Sequence, residues 1–218
     1  MPDVPELADL PFAPHLTAHG GGLSSHGDYD TVMFEQLDLD EPSAPNSKFL
    51  ECAFSRVSMT GGKLQRSTFR DVWMRDMRLT GTSLIESNWL DATVIASSLA
   101  GAQLFGSELR RVTFSACKLD SVNFRGSQLT NVTFDRCVLR EVDFADATLT
   151  GCVFAGSELS GTDFSRATMD RTDLRGAVLG IVIDSRSLRG AIISPAQLVV
   201  LAPVLASSMG IVISDELP

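Results

Sequence analysis

Three kinds of side chain in this sequence could do chemistry: histidines, cysteines and carboxylates. The three His residues are His15, His19 and His26, spread through an N-terminal segment rich in Pro and Gly. The Cys residues lie at positions 52, 117, 137 and 152, and no two of them form a Cys-x-x-Cys pair. Zinc sites need closely spaced Cys and His ligands. We therefore expect no metal and no cofactor, and we interpret the cysteines as structural thiols.

The carboxylates do not suggest catalysis. Acid-base chemistry needs titratable groups gathered in a pocket, whereas the Asp and Glu residues recur at regular intervals. The sequence has no Gly-rich phosphate loop, and no His follows His26. We predict that the protein is not an enzyme.

The charge balance bears on partners and location. The 218 residues carry a formal net charge of -9, which argues against direct nucleic acid binding and favours basic partners. No apolar run approaches the roughly 20 residues that span a bilayer, and the N-terminus does not resemble a signal peptide. We expect a cytoplasmic protein without a membrane partner.

The sequence repeats with a period of five residues, and the structure that this repeat forms must position these side chains. Every fifth residue from Phe49 to Leu179 is apolar, and the 27 positions hold nine Phe, thirteen Leu, three Met, Trp89 and Val94. The positions two residues earlier are small, apart from Met77, and include all four Cys. This period fits neither an α-helix nor a strand. It fits a coil in which each pentapeptide makes one side, with its large and small residues pointing inward and its charges facing water.

The pattern resembles the pentapeptide-repeat family, as in Thr162-Asp163-Phe164-Ser165-Arg166 and Thr172-Asp173-Leu174-Arg175-Gly176. The resemblance covers residues 47 to 181 and implies an all-β, right-handed quadrilateral β-helix. With four sides per coil, the Phe residues that recur every ten positions from 114 to 164 would occupy two opposite walls. Nearly seven coils at about 4.8 Å each give a rod about 32 Å long.

The C-terminal segment predicts a cap on this solenoid. Ser194 and Gln197 form a capping box pattern around Pro195, and we expect Pro203 to kink or divide the helix and Gly210 to end it. A short strand at 211–213 would follow. The surplus of apolar residues predicts a two-fold, tail-to-tail homodimer, with a monomeric cap as the alternative. The cap and dimer residues are Leu198, Val199, Leu201, Ala202, Leu205, Ile211, Val212 and Ile213.

The sequence thus divides into a flexible or wrapping arm at 1–27, the β-helix at 28–193 and the cap at 194–218. The solenoid register begins near Tyr29, and we expect residues 41–45, with two Pro, to interrupt it. Four apolar residues occupy outward positions and predict an exposed patch that either the arm or a partner covers. They are Ile85, Leu90, Ile95 and Phe105.

The uninterrupted repeats and the C-terminal Gly-Ile-Val-Ile resemble the MfpA and Qnr groups of quinolone-resistance proteins. That resemblance implies a dimeric mimic of DNA that binds DNA gyrase or another type II topoisomerase. Stacking twenty residues apart predicts two acidic lanes for such a partner: Glu51, Asp71 and Asp91, and Asp143, Asp146 and Asp163. Residues 31 to 181 hold 19 acids and 16 bases, however, so a scaffold or protein-protein interaction module remains the alternative.

Overall fold

The five-residue register winds the chain into stacked square coils of 20 residues. We analysed a computed structural model, which describes residues 4–184 and 186–214. Each side of a coil pairs in parallel and in register with the residue 20 positions later, as Asp28 does with Lys48. The fold is an all-β parallel β-solenoid of about eight turns with one C-terminal helix, so the predicted fold class is confirmed. Eight stacked strands, spaced by about 4.8 Å, make the rod about 34 Å long.

Three of the four walls are regular parallel sheets. Wall 1 contains Asp28–Asp30, Lys48–Leu50, Thr68–Arg70, Asn88–Leu90, Glu108–Arg110, Gln128–Thr130, Thr148–Thr150 and Thr168–Asp170. Wall 2 contains Thr17–Ala18, Val32–Glu35, Ala53–Ser55, Trp73–Arg75, Thr93–Ile95, Thr113–Ser115 and Thr133–Asp135. Wall 3 contains Asp38–Asp40, Ser58–Thr60, Arg78–Thr80, Ser98–Ala100, Lys118–Asp120, Val138–Arg140, Glu158–Asp163 and Val178–Val182. Wall 4 is held by single bridges, beginning with Ser43 to Lys63 and ending with Asp143 to Asp163. A two-residue pair, Thr172–Asp173 with Ala191–Ile192, closes the C-terminal coil.

The centre of every side points into one continuous core. Phe114, Phe134 and Phe154 stack on wall 2, with ring centroids 5.2 and 4.8 Å apart. Phe124, Phe144 and Phe164 stack on the opposite wall 4, as the ten-residue spacing predicted, with centroids 5.0 and 5.2 Å apart. Each fully buried Phe contributes about 1.5–3 kcal/mol relative to exposure. The stacks are therefore the main apolar support of the later coils.

The early coils use a different arrangement. Phe49, Phe69 and Trp89 stack on wall 1, next to Phe34 and Phe54 on wall 2, so two adjacent walls carry the aromatic rings. The change occurs where Met residues replace Phe, around a void of about 20 Å³ that Met59, Met74 and Met77 help to line. Flexible Met side chains fill such irregular space.

The expected interruption at residues 41–45 is wrong. Ala44 is fully buried and in register, and its N–H donates to the Lys63 carbonyl at 2.8 Å. Pro42 and Pro45 occupy positions where, in the later coils, the N–H makes no backbone ladder bond; Arg125, for example, donates to the Asn123 side chain instead. Proline at these positions therefore removes no hydrogen bond from the backbone ladder.

Both ends of the solenoid are covered. The N-terminal arm forms short 3-10 helices at Leu7–Asp9 and Ala13–His15 and then adds the edge strand of wall 2. At the other end, helix α1 spans Pro195–Ser208 with Pro203 inside it, so Pro203 does not divide the helix. Residues 211–214 form no strand in the described chain, so the expected strand at 211–213 is wrong.

Candidate functional surfaces

The first predicted acidic lane follows one corner of the rod. Glu51, Asp71 and Asp91 stack at 20-residue intervals, and each adopts the left-handed backbone conformation that turns the corner, with φ between 51° and 54°. Arg70 lies 3.3 Å from Asp71, and Arg111 binds Asp91 with two hydrogen bonds of 2.6 and 2.7 Å. The Arg111 guanidinium lowers the pKa of the Asp91 carboxyl. Only Glu51 in this lane has no ion pair among the described residues.

The second lane is neutralised in the same way. Asp143 and Asp163 bridge directly on wall 4, as predicted from their spacing. Arg125 contacts both Asp143 and Asp146, at 3.0 and 2.9 Å, and Arg166 binds Asp146 at 2.7 Å. Hydrogen bonding to Arg166 lowers the pKa of Asp146. The structure therefore stacks both lanes, but it surrounds most of their carboxylates with arginines.

The negative charge is concentrated at the N-terminal end of the rod instead. Residues 1–41 hold nine Asp or Glu and no Lys or Arg, whereas residues 42–218 hold 18 acids and 18 bases. Five exposed carboxylates in the first coil have no ion pair within the described chain. They are Asp28, Asp30, Asp38, Asp40 and Glu41. This asymmetry is readable in the sequence, but the choice of the two lanes did not use it.

The arm lies on the outer face of wall 2. Phe12 is buried there against Ala53 and Trp73, together with Leu7, Leu10 and Leu16. The Trp73 indole donates to the Pro5 carbonyl at 3.1 Å, and Arg75 contacts Glu6 at 2.6 Å. His19 then packs edge-on against Tyr29 and Phe34 at the open end of the core. The arm therefore covers both the side and the end of the first coils.

The four residues of the predicted apolar patch do not come together. Ile95 lies on wall 2 and packs against the cluster formed by the arm. Ile85 and Phe105 lie on the opposite wall 4. Leu90 lies on wall 1, which stands between wall 4 and wall 2. Phe105 is 44% exposed, and its ring reaches across Gly126 in the next coil. These residues do occupy outward positions, as predicted, but they do not lie on one face of the rod.

The C-terminal cap separates the predicted dimer residues into two groups. Leu201 is buried on the core and Leu205 packs beside it. The capping box forms, and the Gln197 amide also donates to the Leu174 and Ala177 carbonyls at 2.7 and 2.8 Å, which ties α1 to the last coils. The remaining predicted residues are exposed: Leu198, Val199, Ala202, Ile211, Val212 and Ile213.

Further exposed apolar residues, missed in the sequence, extend this surface. Val200, Val204 and Met209 of the cap are exposed, as are Val178, Val182 and Ile192 beside it. Val199 and Val212 reach 75% and 87% exposure. Exposed apolar surfaces of this size are often contact sites in proteins.

A groove of about 710 Å³ runs along the corner between walls 2 and 3. Small residues open it, since Ala96 and Ala116 stand at corner positions where Arg56 and Asp76 stand in earlier coils. Both signs of charge line it, including Asp38, Arg78 and Lys118. This mixed lining does not select one ligand chemistry.

The four Cys are free and buried. Burial raises the pKa of Cys52 to about 11 and that of Cys152 to about 12. Within residues 4–184 and 186–214, no group of three His, Cys, Asp or Glu side chains could hold a metal ion. No helix of the described chain is long and apolar enough to cross a membrane.

Comparison with known proteins identifies the repeats. Residues 95–164 match the family model described as "Pentapeptide repeat region". No curated protein matches the chain.

Solved structures with similar folds include other pentapeptide-repeat proteins. HetL from the cyanobacterium Nostoc, involved in heterocyst differentiation regulation, is 17% identical, with 80% of this chain and 92% of HetL covered and a TM-score of 0.46. QnrB1, a plasmid-mediated fluoroquinolone resistance protein, is 18% identical, with 85% of this chain and all of QnrB1 covered and a TM-score of 0.40. Likenesses this distant transfer no role to this chain. The family match identifies a pentapeptide-repeat region at residues 95–164, and the same five-residue register continues beyond it on both sides.

Proposed function

We propose that the protein is a dimeric, non-enzymatic binding module of the cytoplasm whose acidic N-terminal end contacts the basic, DNA-binding surface of another protein. The resemblance of the sequence to the MfpA and Qnr groups makes DNA gyrase, or another type II topoisomerase, the first partner to test. One observation carries the proposal: the whole net charge of the chain lies in residues 1–41.

The magnitude of this charge limits mimicry of DNA to one end of the rod. B-form DNA carries one negative charge per about 1.7 Å, which is about 20 charges over the 34 Å of the solenoid. Residues 42–181 hold 15 acids and 16 bases, so most of the rod has no matching field. The net charge of -9 on residues 1–41 is comparable to the charge of about 15 Å of duplex DNA.

The carboxylates at this end are available to a partner. Asp28, Asp40 and Glu41 are exposed and make no side-chain hydrogen bond or ion pair within the described chain. Their charges are therefore free to attract clustered Lys and Arg, and such attraction weakens as salt rises. The paired carboxylates of the two lanes contribute less, because their Arg partners would have to be displaced.

The C-terminal surface supports a two-fold dimer. Val199 and Val212 expose most of their side chains at the end opposite the acidic coil. A tail-to-tail interface would remove them from water and place the two acidic ends about 70 Å apart, at roughly twice 34 Å. Two ends on one rod could bind two basic sites of a symmetric partner.

A supercoiling assay with purified gyrase tests the binding proposal. We expect inhibition that fades as salt rises. A variant with Asp28→Asn, Asp40→Asn and Glu41→Gln should need about tenfold more protein, since three exposed charge pairs are worth about 0.2–1 kcal/mol each. A matched variant with Asp76→Asn, Glu141→Gln and Glu158→Gln changes the net charge equally, elsewhere on the rod, and should inhibit like the parent. Equal loss in both variants would refute the assignment to the N-terminal end.

Sedimentation tests the dimer separately. Val199→Asp combined with Val212→Asp should convert the protein to a monomer. Phe105→Asp also places a negative charge on an exposed apolar residue, but on wall 4, and should leave the dimer intact. A parent protein that sediments as a monomer at micromolar concentration would contradict this part of the proposal.

A scaffold with a different partner is the second candidate. The pairing of the rod arginines with its carboxylates favours it, because a charge-neutral rod is suited to holding a fixed shape rather than to mimicking a polyanion. Absence of any effect on gyrase, together with intact dimerisation, would support the scaffold.

A further inference from the structure

Two of the four cysteines are neighbours in adjacent coils. Cys117 and Cys137 occupy the same inward position, one residue before the wall 3 strands Lys118–Asp120 and Val138–Arg140, whose residues pair in register. Parallel strands lie about 4.8 Å apart, which falls within the Cα separation of about 4.4–6.8 Å that a disulfide spans. The stacking therefore brings the two Cys backbones to bonding distance without rearranging the sheet.

Both thiols lie inside the core, one coil apart. Each residue is 1% exposed. Cys117 Sγ donates to the Val94 carbonyl and Cys137 Sγ to the Phe114 carbonyl, both at 3.3 Å, so both side chains lean in the same direction along the rod. The neighbouring Cys117 thiol and burial raise the pKa of Cys137.

The other two cysteines provide an internal contrast. Cys52 lies between Val32 and Val72 in its stack, and Cys152 lies between Val132 and Thr172. All four are buried and free, but only Cys117 and Cys137 have a second sulfur 20 residues away. Burial of small thiols explains all four positions, whereas it does not explain why two of them are adjacent.

We propose that Cys117 and Cys137 are a redox site that forms a reversible disulfide between adjacent coils when the protein meets a peroxide. One thiol reduces hydrogen peroxide, whose O–O bond breaks, and becomes a sulfenic acid with release of one water. The second thiol attacks that sulfur, the S–S bond forms, and the second water leaves. Two thiols and one peroxide thus give one disulfide and two waters, and a small thiol reverses the bond by exchange.

The disulfide would tie one whole coil to the next in the middle of the rod. It closes a ring through 20 residues, which restricts the unfolded chain and so favours the folded one. The coils that carry Phe114 and Phe134 would then open less readily. The proposal does not depend on the partner or on the dimer.

Peptide mapping of the intact protein tests the site. The protein is treated with hydrogen peroxide under native conditions, alkylated in denaturant and digested with trypsin. We expect the peptide of residues 112–118 linked to that of residues 137–140, and a fall from four free thiols to two. Cys152→Ser should keep the link, whereas Cys117→Ser should abolish it. The oxidised protein should unfold at a higher urea concentration, and a reductant should restore the original midpoint.

A second experiment tests whether burial of the thiols alone keeps the link from forming. The reduced, urea-unfolded protein is refolded in a mixture of oxidised and reduced glutathione, where every thiol meets the oxidant before the core closes. The link between residues 117 and 137 should dominate over all other pairings. Its absence both from native oxidation and from this refolding would overturn the proposal, as would equal oxidation of Cys52 and Cys152.

Discussion

Replacement of Phe144 by Ala tests the aromatic core in the part of the rod where it is most regular. Phe144 is fully buried, stacks on Phe124 and Phe164 at 5.0 and 5.2 Å, and meets Phe134 and Phe154 edge-on at 6.0 and 6.1 Å. Phe→Ala in a core costs about 3–5 kcal/mol. We expect the upper part of this range, because stacked coils on both sides hold the cavity open and the ring has four aromatic neighbours.

Urea unfolding followed by circular dichroism measures this loss. Phe105→Ala is the matched control, since that ring is 44% exposed on the same wall and should cost less than about 1 kcal/mol. A solenoid distributes stability over neighbouring coils, so Phe144→Ala should also broaden the transition by loosening the middle of the rod first. Equal midpoints for the two variants would refute the inward placement of the Phe stacks.

Three further predictions follow from individual contacts. Gly190→Ala should destabilise the C-terminal coil by well over 1 kcal/mol in urea unfolding, because its Cβ would lie 2.1 Å from the Met169 carbonyl oxygen at a φ of +88°. Gly81→Ala, with a φ of +60° and open space around it, should cost only the strain of about 1 kcal/mol, and a larger loss there would contradict this account. Arg111, Arg166 and Arg175 lower the pKa of Asp91, Asp146 and Asp173, respectively. These carboxylates therefore stabilise the fold at pH values above their unfolded pKa of about 3.9. They lose that contribution as the pH falls through their lower pKa in the folded protein. At pH values below about 4, the urea concentration at the unfolding midpoint should therefore decrease, and it should decrease less steeply in Asp91→Asn. An identical pH profile in that variant would argue against the Arg111 contact. Phe12→Ser should release the arm from Trp73 and raise the binding of a hydrophobic dye. Unchanged dye binding in this variant would show that the arm does not shield wall 2.

The core could be predicted from the sequence because one rule repeats without exception. A large apolar residue at every fifth position has to point inward on each side of the coil, and a charge there would be costly. The same rule places the four Cys at small inward positions and makes Cys117 and Cys137 neighbours, since coils of 20 residues stack in register. The adjacency of these two thiols was readable from their spacing once the coil length was known.

The surfaces were harder to predict because they depend on which long side chains meet. Arg111 could turn toward Asp91 or away from it, and spacing alone does not decide between the two. Ile85 and Ile95 are ten residues apart, which is half a coil, so they lie on opposite walls rather than on one patch. Pro42 and Pro45 suggested a break because the hydrogen-bonding role of each register position is visible only in the structure.

Binding of the protein to purified gyrase, measured in competition with a DNA duplex over a range of salt concentrations, tests the central claim most directly. The account predicts that duplex displaces the protein, that affinity falls steeply with salt, and that neutralising Asp28, Asp40 and Glu41 lowers affinity about tenfold while the matched change at Asp76, Glu141 and Glu158 does not. Binding that is insensitive to salt, and equal in the two variants, would contradict it.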